Sequence, residues 1–368
     1  MAAHTKAGSG LVKIRPATAK FETWLFGLIK PVKKDLDLKH RNMRESAFLF
    51  LRATFYRWAQ LWPQVSADLA SAPKALAVGD LHVENFGTWR DAEGRLAWGI
   101  NDFDEVWWLS YLNDLVRLAS SANLAIRESR LALGREEAAE AILEGYAKAI
   151  EAGGRPFVLA EGHPALHEMA IYRLKDPLPF WEKLGALPKA DKVPAGAVKA
   201  LRRMLPDPHL PLRISHRVAG EGSLGRQRFV AVTEYQGGRI AREAKAAAPS
   251  ACFWAQGEKG SSAVLYQEIL DRSIRCADPY VKLKGRWILR RLAPDCARIE
   301  LSALPAQRDE IRLLRAMGWE TANVHLGSLK AGAIRRDLAP RPAKWLFRAA
   351  ARMTEAIGED WEAWRAKR

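Results

Sequence analysis

The chain has 368 residues, 48% hydrophobic and 27% charged, which supplies a substantial core and excludes global disorder. Its 58 Lys and Arg against 42 Asp and Glu leave a net charge of +16, and at about 150 residues per domain the length predicts two compact units. The three cysteines, Cys252, Cys276 and Cys296, contain no CxxC pair, which excludes a disulfide framework and a structural zinc site and fits a reducing compartment.

Met1 to Lys6 lead into no apolar run, and no uninterrupted apolar stretch approaches membrane-spanning length, so a cytoplasmic protein without a membrane span is expected. Residues 1–45 carry a net +6 and residues 330–368 a net +5, so the basic excess is mostly terminal. Solvated helix faces account for such charge. The alternative is contact with a polyanion through the basic termini.

Along the chain, residues 1–45 mix Lys, Pro and Gly and are expected to wrap the surface. Apolar positions at three- and four-residue spacing predict one amphipathic helix from Ser46 to Trp62. Two short apolar runs follow, Ala75–Val78 and Leu96–Ile100. With the turn Asp91-Ala-Glu-Gly94 between them, they read as the strands of a hairpin. Residues 106–152 read as helical, and seven prolines between 177 and 213 mark a boundary. Strand-like segments come next, at Arg228–Thr233, Arg239–Ala244 and Trp287–Leu292, and the last 60 residues return to helix.

Two constellations carry chemistry. The first is Gly79-Asp-Leu-His-Val-Glu-Asn85-Phe-Gly87, placed after an apolar strand, with Asn101-Asp-Phe-Asp-Glu105 at the end of the next. Carboxylates beside a carboxamide on two strand ends suit Mg²⁺, which prefers hard oxygen ligands, and phosphoryl transfer. Turn chemistry explains one such loop, but less well two at matched positions. Binuclear metallophosphatase and zinc deaminase readings both fail for lack of further ligands.

The second constellation is Gly220-Glu-Gly222-Ser-Leu-Gly225, a G-x-G-x-x-G followed by an alternating, strand-like segment rather than a helix. Strand, glycine turn, strand is the hairpin that kinases fold over nucleotide phosphates. Lys245 lies twenty residues past Gly225, at a place where a strand lysine reaches phosphates. An ordinary hairpin with a surface lysine is the alternative. Together the parts make a kinase set in the wrong order, which a circular permutation explains.

The chain resembles the bacterial domain-of-unknown-function family 2252 over most of its length. The similarity rests on Lys39-His-Arg-Asn-Met43 through Arg52, Gly79–Gly87, Ile100–Glu105, Gly220–Gly225, Arg242–Ser250 and the Arg-Arg-Leu-Ala-Pro-Asp-Cys run at 290–296. The family's Lys-Glu-Ala context is here Lys245-Ala-Ala. The catalytic stretch is similar to the His-Gly-Asp-Leu-His-x-x-Asn loop of aminoglycoside and choline kinases, with Val78 in place of the leading His.

The resemblance implies an α+β, protein-kinase-like two-lobed fold, circularly permuted. A helical large lobe at 1–205 precedes a small antiparallel sheet lobe at 206–305, and helices at 306–368 complete the large lobe. The implied function is an ATP- and Mg²⁺-dependent phosphotransferase with an unknown small-molecule or protein acceptor. Transfer of a nucleotidyl group, a nucleotide-binding pseudokinase or regulatory module, and a nucleic-acid-binding protein are the alternatives.

In the kinase-like assignment Asp80 deprotonates the acceptor hydroxyl. Asn85 and Asp102 hold Mg²⁺, with Asp104 as an additional ligand. Gly220, Gly222, Ser223, Gly225 and Lys245 bind nucleotide phosphates, and Glu268 steadies Lys245. Asp114 hydrogen-bonds the catalytic-loop backbone, His82 and Glu84 face substrate or brace the loop, and His325 reads as structural. Trp58, Trp62, Trp107 and Trp108 read as core, and the cysteines as inert. If Asp102 belongs to a multi-anion cluster, Asp102→Asn is expected to hold or raise stability by relieving repulsion.

Overall fold

The structure, a computed structural model, describes residues 12–171, 177–257, 263–296 and 307–366. The basic N-terminal segment contains two helices, α1 (Ile14–Leu28) and α2 (Lys33–Glu45). Ile14, Phe21 and Leu25 form a buried stripe that anchors α1, so this segment is packed in rather than wrapped around. The expected helix over 46–62 is broken into α3 (Ala47–Ala53) and α4 (Phe55–Val65). Its break is Thr54, at φ −124° and ψ 41°, whose hydroxyl donates to Phe50 O at 2.7 Å. Such back-bonding competes with a continuous helix. The short α5 (Ala67–Ala70) follows.

The strand pairing that comes next differs from the sequence expectation. β1 (Lys74–Ala77) does not pair with β3 (Leu96–Ile100). The hairpin partner of β3 is β2 (Phe86–Arg90), and the turn at Asp91–Gly94 joins those two. β1 instead pairs with β4 (Trp107–Ser110), a strand inside the stretch expected to be helical. Each catalytic-type loop therefore leaves the end of a different small sheet.

Then come α6 (Leu112–Arg127), α7 (Arg135–Ala152), β5 (Phe157–Val158), α8 (Pro164–Ile171), α9 (Leu178–Gly185) and α10 (Ala195–Arg202). The sheet region holds β6 (Arg213–His216), β7 (Arg228–Tyr235), β8 (Gly238–Ala246), α11 (Ala251–Ala255), α12 (Tyr266–Arg272), β9 (Lys282–Lys284) and β10 (Trp287–Leu292). The chain closes with α13 (Gln307–Leu326), α14 (Ala331–Leu338) and α15 (Trp345–Arg365).

Helices from the two ends of the chain share one core. Arg57 on α4 donates two hydrogen bonds to the Asp360 carboxylate on α15, at 2.6 and 3.1 Å, and Arg15 donates to Trp364 O. α7 and α13 meet backbone to backbone at Gly145 and Gly318. A Cβ on Gly145 would lie 1.9 Å from Arg315 O, and one on Gly318 2.0 Å from Ile142 O.

β6–β10 form a five-stranded antiparallel sheet in the order β6-β7-β8-β10-β9. Residues directly opposite share a face. Arg228, Lys245, Glu243 and Arg290 therefore lie on one side, while Phe229, Ala231, Ala244 and Leu289 pack against α10 on the other. Farther along the first face, Val230 and Ala241 are covered by Leu184 of α9. No helix among the described residues is long and apolar enough to cross a membrane.

Candidate functional site

Gly79 lets the loops after β1 and β3 touch. It has φ +79°, and a Cβ there would lie 2.3 Å from Glu105 O. Only glycine permits both the left-handed backbone and that approach. The next residue, Asp80, is thereby set beside Asn101–Glu105. Val78 N and Gly79 N both donate to the Asp114 carboxylate, at 2.7 and 3.0 Å, the loop-bracing contact expected of Asp114. His325 Nε2 lies 3.1 Å from Asp114 Oδ2, and its Nδ1 2.9 Å from the Tyr146 hydroxyl, which gives this fully buried histidine a structural role.

Asp80, Asn85, Asp102 and Asp104 line one cavity with Gly220, Gly222 and Ser223. Asn85 Nδ2 donates to Asp80 O at 2.8 Å, locking the two ends of that loop together. The Lys245 side chain, 1% exposed, places Nζ 2.5 Å from Asp104 Oδ1 and 3.5 Å from Asp102 Oδ1. The glycine turn descends from above. A Cβ on Gly222 would lie 3.1 Å from Arg52 O and 3.2 Å from Asp80 Oδ2, so the glycine loop reaches the aspartate itself.

Glu268 is not part of this assembly. Its carboxylate pairs with Arg272 one turn along α12, at 3.0 Å, and Lys245 is steadied by Asp102 and Asp104 instead. The carboxylates do cluster, but the net repulsion expected at Asp102 is absent. Burial alone would raise the Asp102 pKa, but Lys245, Arg290 and Arg228 outweigh it and hold the carboxyl well below the usual range. Glu84 braces the loop, 2.7 Å from Arg52 and 3.6 Å from Arg130, and Glu84 N donates to His82 Nδ1.

Several site residues went unassigned in the sequence. Arg117, three residues after Asp114 and so on the same face of α6, clamps Asp80 Oδ1 through Nε at 3.0 Å and through Nη2. Its guanidinium rests over the Phe55 and Trp58 rings. Burial nonetheless pushes the Asp80 carboxyl up, against the opposing pull of Arg117. Arg226, next to Gly225, donates to Glu105 at 2.9 Å, and Glu105 accepts from Ala251 N at 2.6 Å. Burial drives Glu105 up to about 7 despite Arg226.

Lys39 on α2 donates to Gly222 O at 3.2 Å, and burial lowers its pKa to about 8. Asn42 donates to the Glu221 carboxylate at 3.0 and 3.2 Å, and Val32 N donates to Gly225 O at 2.8 Å. The glycine loop is thus tied along α2. The spacing of Lys39 and Asn42, three residues apart on one helix face, was the available signal.

The space under this loop is about 40 Å³, room for a few waters, whereas pockets for larger ligands span roughly 300–1,000 Å³. This is a narrow cleft. For Mg²⁺, the donor set is Asn85, Asp102 and Asp104, all facing one cavity. Asp104 Oδ1 is buried, makes no hydrogen bond of good geometry and meets only the Lys245 ammonium. Among the described residues no group of three or more His, Cys, Asp or Glu could hold a metal. Mg²⁺ is ordinarily bound by one or two carboxylates plus substrate phosphates, so these residues fit it in that mode.

Trp58 and Trp62 are core as expected, but Trp107 is half-buried and Trp108 is 37% exposed, because they form the outer half of β4 and only Leu109 and Ser110 are buried. Burial pushes the Cys252 and Cys296 thiols up, consistent with inert cysteines.

Residues 31–163 match a family described as an uncharacterized protein conserved in bacteria, DUF2252. That match spans about a third of the chain, from α2 past β5, and includes Asp80, Asn85, Asp102 and Asp104 but neither the glycine loop nor Lys245. No curated protein and no solved structure matches the chain.

Proposed function

We propose that the chain is an ATP- and Mg²⁺-dependent phosphotransferase with a kinase-like, circularly permuted arrangement of its two lobes. The observation that carries this reading is convergence: Asp80, Asn85 and Asp102 line one cleft under a glycine turn, and Lys245, from a distant part of the chain, ion-pairs with Asp102 and Asp104 in its wall. Supporting it, the glycine turn joins the first and second strands of the five-stranded sheet and Lys245 lies on the third, the placement used by protein kinases.

In this reading Asp80 orients the acceptor hydroxyl and takes its proton, with Arg117 fixing the carboxylate. Burial raises its pKa above that of an ordinary aspartate, which makes it the stronger base. Lys245 and the loop backbone engage phosphate oxygens. Mg²⁺, when bound through Asn85, Asp102 and Asp104, supplies charge neutralisation at the phosphates. Nucleotide entry requires the glycine loop to lift from Lys39 and Asn42.

The test is a melting shift on adding millimolar MgATP, followed by ADP release with candidate acceptors. Asp80→Asn should keep the shift and lose turnover by roughly 10²- to 10⁴-fold. No shift in the wild type would overturn the reading. The narrowness of the cleft and the Arg228–Glu243 ion pair on the sheet face beside Lys245 favour a second reading, a nucleotide-binding pseudokinase or regulatory module. A MgATP shift without ADP release for any acceptor would select it.

A further inference from the structure

Eleven buried side-chain nitrogen and oxygen atoms among the described residues have no hydrogen-bond partner. Three of them, Arg275 Nη1, Arg290 Nε and Arg291 Nε, belong to residues that line a single cavity of about 70 Å³, where the Tyr266 hydroxyl lies beside Arg290. This cavity is separate from the space under the glycine loop. It lies between β10, α12 and the Trp89 end of β2, with Asn101 and Phe103 of the Asp102 loop in its wall.

Each guanidinium is oriented by a contact that leaves another nitrogen unused. Arg275 stacks over Trp89 at 4.6 Å and Phe103 at 5.0 Å. Arg290 Nη2 donates to Asn101 O, and Arg291 Nη2 donates to Arg90 O at 3.2 Å. None of the three forms an ion pair within 4 Å among the described residues; Asp102 and Glu243 act on Arg290 and Glu320 on Arg275 from farther away, and Asp278 is the one carboxylate in the lining. A buried unpaired donor costs about 1–3 kcal/mol, so three unused guanidinium nitrogens in the wall of one cavity favour a shared acceptor. Guanidinium groups only donate, and their planar forks match oxyanions.

We propose that this cavity is a binding site for a phosphate-sized oxyanion, held by Arg275, Arg290 and Arg291. The space suits a single tetrahedral oxyanion. Because Arg290 also holds the carbonyl of Asn101, the anion is coupled to the loop that carries Asp102. This inference stands on the orphaned donors and does not depend on the phosphotransferase reading.

The test has two arms. Crystals of the full chain soaked in selenate should show an anomalous peak among the three guanidinium groups. A peak only beneath the glycine loop, or none, overturns the proposal. In solution, inorganic phosphate at constant ionic strength should raise the wild-type melting temperature and change Trp89 emission through Arg275.

Arg275→Gln and Arg291→Gln should each weaken phosphate binding about tenfold or more while sparing any MgATP shift. A phosphate response that survives both and is lost in Lys245→Gln overturns the proposal. Should the variants fail to fold, the wild-type soak decides. Glycerol phosphate run in parallel separates the sources: tighter binding with the same arginine dependence assigns the site to a phosphoryl group on a larger molecule, weaker binding to the free ion. Binding of neither overturns the proposal.

Discussion

Asp102→Asn tests whether Asp102 compensates buried cations. Its carboxylate is 26% exposed and lies 3.5 Å from the ammonium of Lys245, which is 1% exposed. Two unit charges at that distance attract by about 5 kcal/mol at an effective dielectric of about 20, most of it offset by desolvation. Breaking a fully buried pair costs about 3–5 kcal/mol. Here the loss is smaller, because Asp102 is partly hydrated and Lys245 keeps Asp104 at 2.5 Å.

The expected cost is about 1–2 kcal/mol at pH 7, a drop of a few degrees in melting temperature. The sign with pH follows from the depressed carboxyl: its stabilisation is present above the unfolded value of 3.8 and is lost as pH falls through the lower folded value. The gap between wild type and variant should therefore shrink below about pH 4. Melting curves from pH 7 down to 3, at fixed ionic strength, check this. A variant as stable as wild type at pH 7, or a gap that persists undiminished at pH 3, refutes the compensation argument. The same variant should lose any MgATP-induced shift.

Gly318→Ala forces a methyl to within 2.0 Å of Ile142 O and should destabilise by about 2–4 kcal/mol through separation of α7 and α13; Gly145→Ala should do the same, and a loss below 0.5 kcal/mol would show that the helices can part freely. Glu320 is buried, accepts from Ile100 N at 3.3 Å and from Asn323 Nδ2 at 2.9 Å, and burial raises its carboxyl from 4.5 to about 7. A raised carboxyl stabilises fully below its unfolded pKa and loses that contribution as pH rises through the folded value, here worth about 3 kcal/mol. Glu320→Gln should therefore gain on wild type between pH 5 and 8, read as the difference in melting temperature; a difference independent of pH would assign the titration elsewhere.

Local pattern reached far into this protein. Short strand-like segments at Arg228–Thr233 and Trp287–Leu292 marked the sheet, and the apolar stripes of the last 60 residues marked helices, because residue type and period report how a segment is buried. The loops bearing Asp80, Asn85, Asp102 and Asp104 were legible for a related reason: carboxylates left on strand ends cannot serve the core.

What local pattern could not decide was pairing. Leu96–Ile100 is apolar enough to join either earlier strand, and only the placement of Phe86–Arg90 beside it settled which. Nor could it decide the partners of Lys245. Glu268 sits on a plausible helix, but α12 aims it at Arg272, while the lysine is met by two aspartates about 140 positions earlier in the chain. The orphaned donors of Arg275, Arg290 and Arg291 are likewise a tertiary property, since an arginine's need for an acceptor becomes visible only once water is excluded around it. Sequence set the chemical types and the element periods, which are short-range. Tertiary structure set the charge partners and close approaches, because those depend on which distant segments share a buried space.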